Sequence, residues 1–335
     1  MKPLPAPPCR ISRRSLLGLG TGLVLAPWVA LGQSVDPAPA GTGSEIHDLD
    51  WIDGARDRAV PVRLYLPETG PAAPLMVFSH GLGGSRLGYG YLGRYMAEHG
   101  VASLHLQHVG SDRSLWSGNP LNLIARLQRA AHEDEAQARA RDLRFGIDRL
   151  LSDGRWAERL DARQIVAAGH CYGANTAMLA AGARVLRGGQ AIALQDERLR
   201  AILLLSSPPF YGEPDLAAVL GPVRLPSLHL SCTEDVINIP GYASPASDRI
   251  AVYQAIGSPR KALAVFEGGS HSIFTDRLSP GGPELNQQVM AATLEAMLAF
   301  IQGLDSRLAP LGPLPELLRW RQRHAAFIAR FELST

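Results

Sequence analysis

Cys171 stands between two glycines in Gly169-His170-Cys171-Tyr172-Gly173. An apolar run, Ile165-Val166-Ala167-Ala168, precedes it, and an Ala-rich stretch with Met178 and Leu179 follows. The run reads as a buried strand and the stretch as a helix. A side chain held on a tight strand-to-helix turn sits on a strained backbone, and flanking glycines spare the clash that a neighbouring Cβ would make. A thiol at a helix N-terminus has its anion favoured by the dipole. The chemistry open to it is attack on a carbonyl, with a thioester intermediate. Such an attack needs a histidine partner, and His271 in Gly268-Gly269-Ser270-His271 is the candidate. The histidine in turn needs an acid to orient it. Asp235, in Thr233-Glu234-Asp235, is the candidate; a helix N-cap is its other reading. Glu234 and Asp276 are the competing carboxylates, and Asp276 also suits a cap. A fourth segment, His80-Gly81-Leu82-Gly83-Gly84, is Gly-rich in the way that lets backbone N–H groups face an oxyanion.

The elements that must carry these residues alternate between strand and helix. Ile46–Trp51 and Val60–Leu66 flank a turn at Asp53-Gly54. Leu75–Ser79 runs straight into the His80 segment, and Leu87–Gly100 follows as helix, with Val101–Leu106 the next strand. Arg139–Leu151 places Leu143, Ile147, Leu150 and Leu151 at helical spacing, to pack on a sheet. The charged run His132–Glu135 before it reads as a solvated helical face. Ala201–Leu205, Pro226–Leu230 and Ala262–Phe266 are further buried strands, and Leu285–Ile301 is a closing helix. Strands separated by helices mean an α/β fold, a mostly parallel central sheet with helices on both faces. Four candidate loops then stand at the carboxyl ends of successive strands, where open α/β sheets place their sites.

From about Asp50 to Ile301 the chain resembles an α/β-hydrolase, and among these the dienelactone-hydrolase-like and platelet-activating-factor-acetylhydrolase-like esterases. The segments around His80, Cys171, Asp235 and His271 carry the resemblance. It implies a Cys171–His271–Asp235 triad, with the backbone N–H groups of Leu82 and Tyr172 as oxyanion donors. The activity implied is hydrolysis of a small-molecule carboxylic ester or lactone through an acyl-enzyme, with no cofactor. Cysteine departs from the serine of most such esterases, although dienelactone hydrolases also use cysteine. That departure keeps two other readings open: a catalytically weak binding protein on the same fold, and an acyltransferase or thioester hydrolase.

The remaining sequence bounds the class of protein. The chain has 335 residues, 46% hydrophobic and 19% charged, with a net charge of +2, a globular composition without a nucleic-acid footprint. Residues 1–32 read as a twin-arginine-type signal peptide. Ser12-Arg13-Arg14-Ser15-Leu16-Leu17 lies before a short apolar segment, and Ala30-Leu31-Gly32 forms a small-residue cleavage site. The expectation is export to a bacterial periplasm or secretion, with no stable membrane span in the mature protein; an uncleaved N-terminal anchor is the alternative. Residues 33–44 read as a flexible leader, 45–302 as the α/β domain and 303–335 as a C-terminal helical tail. Cys9 belongs to the signal, leaving Cys171 and Cys232, for which a bridge is open on sequence alone. His105 and His108 lack a nearby carboxylate in sequence and make a poor metal pair. Trp116, Phe210, Tyr211, Ile237, Ile239 and Tyr242 are candidates for lining an acyl pocket.

Overall fold

A computed structural model describes residues 43–187, 190–239, 242–277, 280–304 and 314–334. The signal peptide, and the leader except Gly43 and Ser44, lie outside these residues.

Among the described residues the main sheet has nine strands: β1 (Ser44–Asp53), β2 (Arg58–Pro67), β3 (Ala73–Ser79), β4 (Ala102–Leu106), β5 (Leu160–His170), β6 (Leu199–Leu205), β7 (Ser227–Glu234), β8 (Lys261–Ser270) and β9 (Ile328–Ser334). Their spatial order is β1-β2-β4-β3-β5-β6-β7-β8-β9. The first two strands form an antiparallel hairpin, and β2 runs antiparallel to β4. From β4 through β8 every neighbouring pair is parallel. The helices that flank this sheet are α1 (Gly90–Glu98), α2 (Leu123–Ala130), α3 (Glu133–Ser152), α4 (Tyr172–Ala180), α5 (Ser247–Ala255), α6 (Gly282–Gln302) and α7 (Leu314–Arg323).

The central strands are apolar throughout because both faces are covered. Alternation along β3 divides the core. Leu75 and Val77 join Ile147 and Met178 in the layer under α3 and α4. Met76 and Phe78 join Leu92, Met297 and Trp320 in the layer under α1, α6 and α7. With a side-chain period of two, one strand supplies both layers.

Two expectations need correcting. The tail is not all helix. It is α-helical only to Arg323; a 3-10 turn follows at Ala325–Phe327, and β9 then pairs antiparallel with β8, from Lys261↔Ser334 to Phe266↔Ile328. The apolar residues Ile328, Phe331 and Leu333 fit a sheet edge as well as a helical stripe, and the unpaired edge of β8 decides between them. The tail is therefore part of the α/β body. The run His132–Glu135 is also more than a solvated face. His132 is the N-cap, and Glu135 is buried against Arg58, whose Nη atoms donate to its carboxylate at 3.1 Å.

Candidate functional site

Cys171 occupies the turn between β5 and α4 at φ 54° and ψ −122°, a conformation costly for a side-chain-bearing residue. Its N–H donates to the Leu205 carbonyl at 3.0 Å, which ties the turn to the end of β6. The flanking glycines are required by close approach. A Cβ on Gly169 would lie 2.2 Å from the Gly173 oxygen, and one on Gly173 would lie 1.8 Å from the Ser79 oxygen. Strand β3, the elbow and α4 thus meet backbone to backbone, and the thiol is left at the helix N-terminus.

His271 follows β8, after Gly268 and Gly269 at φ 68° and 79°, a left-handed turn that favours glycine at both places. The fully buried Asp235, just past β7, accepts from His271 Nδ1 at 2.7 Å and from Ser231 Oγ at 2.8 Å. Glu234 is exposed. Asp276 instead accepts from the Tyr89 N–H, with the Gly90 and Tyr91 N–H groups also donating to it, and so caps the start of α1. Cys171, Asp235 and His271 come together; Glu234 and Asp276 do not.

His271 Nε2 has no partner in conventional hydrogen-bond geometry, yet the neighbouring thiol strongly influences its charge. Burial disfavours the imidazolium, but the Cys171 charge and the Asp235 hydrogen bond outweigh it and raise His271 to about 9. Burial likewise opposes the thiolate. The His271 charge and hydrogen bond, the Tyr172 N–H and Arg249 outweigh that, so the Cys171 thiol is lowered. Asp235 is held well below the usual carboxylate range: burial opposes ionisation, and His271 and Arg249 overcome it. The arrangement favours a thiolate–imidazolium pair. Cys171 and Cys232 are both free thiols, so the open question of a bridge is answered against it.

Leu82 and Tyr172 both border the pocket that contains Cys171. The Tyr172 N–H points at the sulfur, and a Cβ on Gly81 would come within 3.3 Å of Cys171 Cβ, so the His80 loop lies against the elbow. Beneath this loop is a buried polar network that the sequence reading missed. Arg139 donates to Thr176 Oγ1 at 2.9 Å, to Ser111 Oγ at 2.7 Å and to the His80 carbonyl, while its guanidinium lies 4.5 Å from the centre of the Tyr172 ring. His108 donates its N–H to His80 Nε2 at 3.1 Å, and its Nδ1 donates to Asp142 at 2.9 Å. Asp142 also receives Arg58 and Arg56. His108 therefore does have a carboxylate neighbour, brought by α3, and His105 turns elsewhere, to Ser103. Among the described residues no group of three His, Cys, Asp or Glu side chains could hold a metal ion. His170 is spoken for as well: its Nε2 donates to the His271 carbonyl at 2.9 Å and its Nδ1 accepts from the Tyr89 hydroxyl at 2.8 Å.

The pocket is a cavity of about 370 Å³. Phe210, Tyr211, Ile237, Ile239 and Tyr242 line it, with Leu179, Val185, Ile192 and Leu194. Trp116 is not among its lining residues; its indole N–H donates to the Gly83 carbonyl at 2.9 Å, over the His80 loop. Arg187, Glu133 and Glu213 also border the cavity, with Arg187 bridging the two carboxylates at 2.6 and 2.8 Å.

A family model described as platelet-activating factor acetylhydrolase, isoform II, matches residues 63–118. That stretch holds the His80 loop and none of Cys171, Asp235 or His271. No curated protein matches the chain. Among solved structures, a ferulic acid esterase from Streptomyces cinnamoneus superposes with a TM-score of 0.58 at 22% identity, over 84% of this chain and 95% of that one. A cold-adapted esterase from an Arctic intertidal metagenomic library superposes with a TM-score of 0.51 at 16% identity, over 78% of this chain and 95% of that one. The strand order, the sharp turn after β5 and these superpositions agree: the chain has the α/β-hydrolase fold.

Proposed function

We propose that this protein is a carboxylic ester hydrolase in which Cys171 is the nucleophile, His271 the acid and base, and Asp235 the orienting carboxylate. The observation that carries the reading is a histidine between carboxylate and thiol, with Asp235 on His271 Nδ1 at 2.7 Å and the Cys171 charge acting on the same ring from the strained turn at a helix N-terminus. The thiolate attacks the ester carbonyl and forms a C–S bond. Negative charge builds on the carbonyl oxygen, where the N–H groups of Leu82 and Tyr172 receive it. Collapse breaks the C–O bond, and the leaving alkoxide takes the proton from His271. His271 then takes a proton from water, whose oxygen attacks the thioester, and acid and thiolate are released.

The substrate is a small ester or lactone with an apolar portion, matched to a cavity lined by aromatic and aliphatic side chains. A panel of p-nitrophenyl esters of rising acyl length, with feruloyl esters beside them, tests this on wild type and Cys171→Ala. Hydrolysis by the wild type and its loss in the alanine variant is the expected result. Undiminished turnover by Cys171→Ala would overturn the assignment of the nucleophile, and a wild type inactive on every ester would favour a binding role.

We also propose export by the twin-arginine route, supported by Arg13-Arg14 before the apolar segment. Among the described residues no helix is long and apolar enough to cross a membrane. Changing Arg13 and Arg14 together to lysine should leave precursor in the cytoplasm; unchanged export would refute that route.

A further inference from the structure

Arg249, in the first turn of α5, is 1% exposed. Its Nη1 donates to Ser244 Oγ at 2.7 Å, and Ser244 in turn donates to Asp248 at 2.6 Å. Its Nε lies 3.4 Å from Asp235 Oδ1, but neither Nε nor Nη2 has a hydrogen-bond partner. Both Asp235 oxygens are already engaged, Oδ1 by His271 and Oδ2 by Ser231. The guanidinium therefore meets the acid as a charge and not as a hydrogen-bonded clamp. Burying a cation with donors unmet is costly, and an apolar residue would fill the same space without that cost. Thiolate, imidazolium and carboxylate together carry one net negative charge in this buried cluster. Arg249 brings the sum to zero.

We propose that Arg249 is a positioning residue that sets the pH range over which Cys171 is a thiolate and His271 an imidazolium, by neutralising the Asp235 carboxylate beside them. This rests on the reading of Cys171 as the nucleophile. Other groups facing the cluster leave this role to Arg249. Tyr89 and Tyr211 stay neutral, their hydroxyl pKa values raised chiefly by burial. His170 stays neutral, lowered to about 3 by burial and by His271. Arg139 also feels Cys171, but Glu135 and Asp142 act on it as well.

A single cation acts on both titrations in one direction. It favours losing the thiol proton and favours losing the imidazolium proton. Its removal should move both midpoints upward together, by roughly one pH unit. A residue that mattered only for packing would behave differently. Loosening the site weakens the attraction between thiolate and imidazolium, so the thiol midpoint rises and the imidazole midpoint falls.

The test compares wild type, Arg249→Met and Arg249→Lys. Alkylation of Cys171 by iodoacetamide against pH, read at the Cys171 peptide, gives the thiol midpoint; NMR titration of the His271 ring gives the other. Both midpoints should rise in Arg249→Met, with about tenfold slower alkylation below the thiol midpoint, and Arg249→Lys should stay near wild type. Where Arg249→Met does not fold, Arg249→Gln, able to keep the bond to Ser244, replaces it. Unmoved midpoints, or midpoints that converge, would overturn the proposal while a reactive wild-type thiol left the nucleophile standing. A wild-type Cys171 that is unreactive at neutral pH would sink both.

Discussion

Cys171 carries sulfur in a setting that serves oxygen equally well. Its turn, the Leu82 and Tyr172 N–H groups and the Asp235–His271 bond at 2.7 Å are what a hydroxyl nucleophile would need. With serine at rest, Asp235 and Arg249 already balance each other, and attack creates an imidazolium and an oxyanion together. Cys171→Ser is therefore expected to retain or raise ester hydrolysis, and Cys171→Ala to abolish it, measured as kcat/KM on a short acyl ester. A serine variant as inactive as the alanine one would mean a site that works only from a preformed ion pair. The charge states also set a pH profile. The wild-type thiol is lowered, so activity should set in at a lower pH than an ordinary thiol would allow, and it should fall as His271 loses its proton near pH 9. In Cys171→Ser the thiolate that raised His271 is gone and attack needs a neutral His271, so the alkaline limit should disappear and activity should instead rise with pH as His271 loses its proton, at a lower pH than in the wild type. An alkaline limit unchanged in that variant would contradict the thiolate–imidazolium pair.

The elements hold the site by close backbone approach, and this is where they are least tolerant. The elbow works because β3, β5 and α4 touch through Gly169 and Gly173. Gly173→Ala would drive a methyl group to 1.8 Å from the Ser79 carbonyl, with backbone on both sides and nothing flexible to give way. A stability loss of about 3 kcal/mol is expected, with activity falling further than stability because the Tyr172 N–H moves with the helix. Denaturant unfolding together with kcat measures both. A variant as stable as wild type would mean that α4 can shift freely, and that the glycines serve some other need. Helix α3 plays the supporting part: Glu135, Arg139 and Asp142 lie on its buried side beside Leu143 and Ile147, and through Ser111 and His108 they brace the loop that carries Leu82.

For the molecule as a whole, the buried histidines dominate the response to acid. His80, His105, His108, His170 and His229 are all buried, and burial, the first cause for each, lowers their pKa, to about 3 for His105, His170 and His229. In the unfolded chain they titrate near 6.5. As pH falls below that value the unfolded state takes up protons that the native state refuses, and stability is lost progressively toward the folded values. Asp235 adds to the same trend, because its lowered pKa contributes stability above the ordinary carboxylate range that disappears on acidification. His271 runs the other way: raised to about 9, it contributes stability below 6.5 that is lost as pH rises through 9. The melting temperature should be highest from neutral to mildly alkaline pH and fall steeply below pH 6. A melting temperature flat from pH 7 to pH 4 would mean that these rings are not buried neutral.

Sequence alone determined the layered α/β architecture and the order of its parts. Buried parallel strands must be apolar on both faces, and the glycines around Cys171 and before His271 answer to local backbone demands that any reader of the chain can see. It also singled out Asp235, His271, Leu82 and Tyr172 as candidates, because strand ends in such a sheet converge at one edge. Tertiary structure decided which groups touch. It placed Asp235, not Glu234 or Asp276, on His271; it sent Asp276 to cap α1 and Trp116 to cover Gly83. It turned the end of the tail into β9, because the open edge of β8 offered hydrogen bonds that no local propensity records. It also buried Arg139 and Arg249 beside the site. Their spacing betrays them only weakly, since a charged residue on a helix reads as solvated until its partners, distant in the chain, are folded against it.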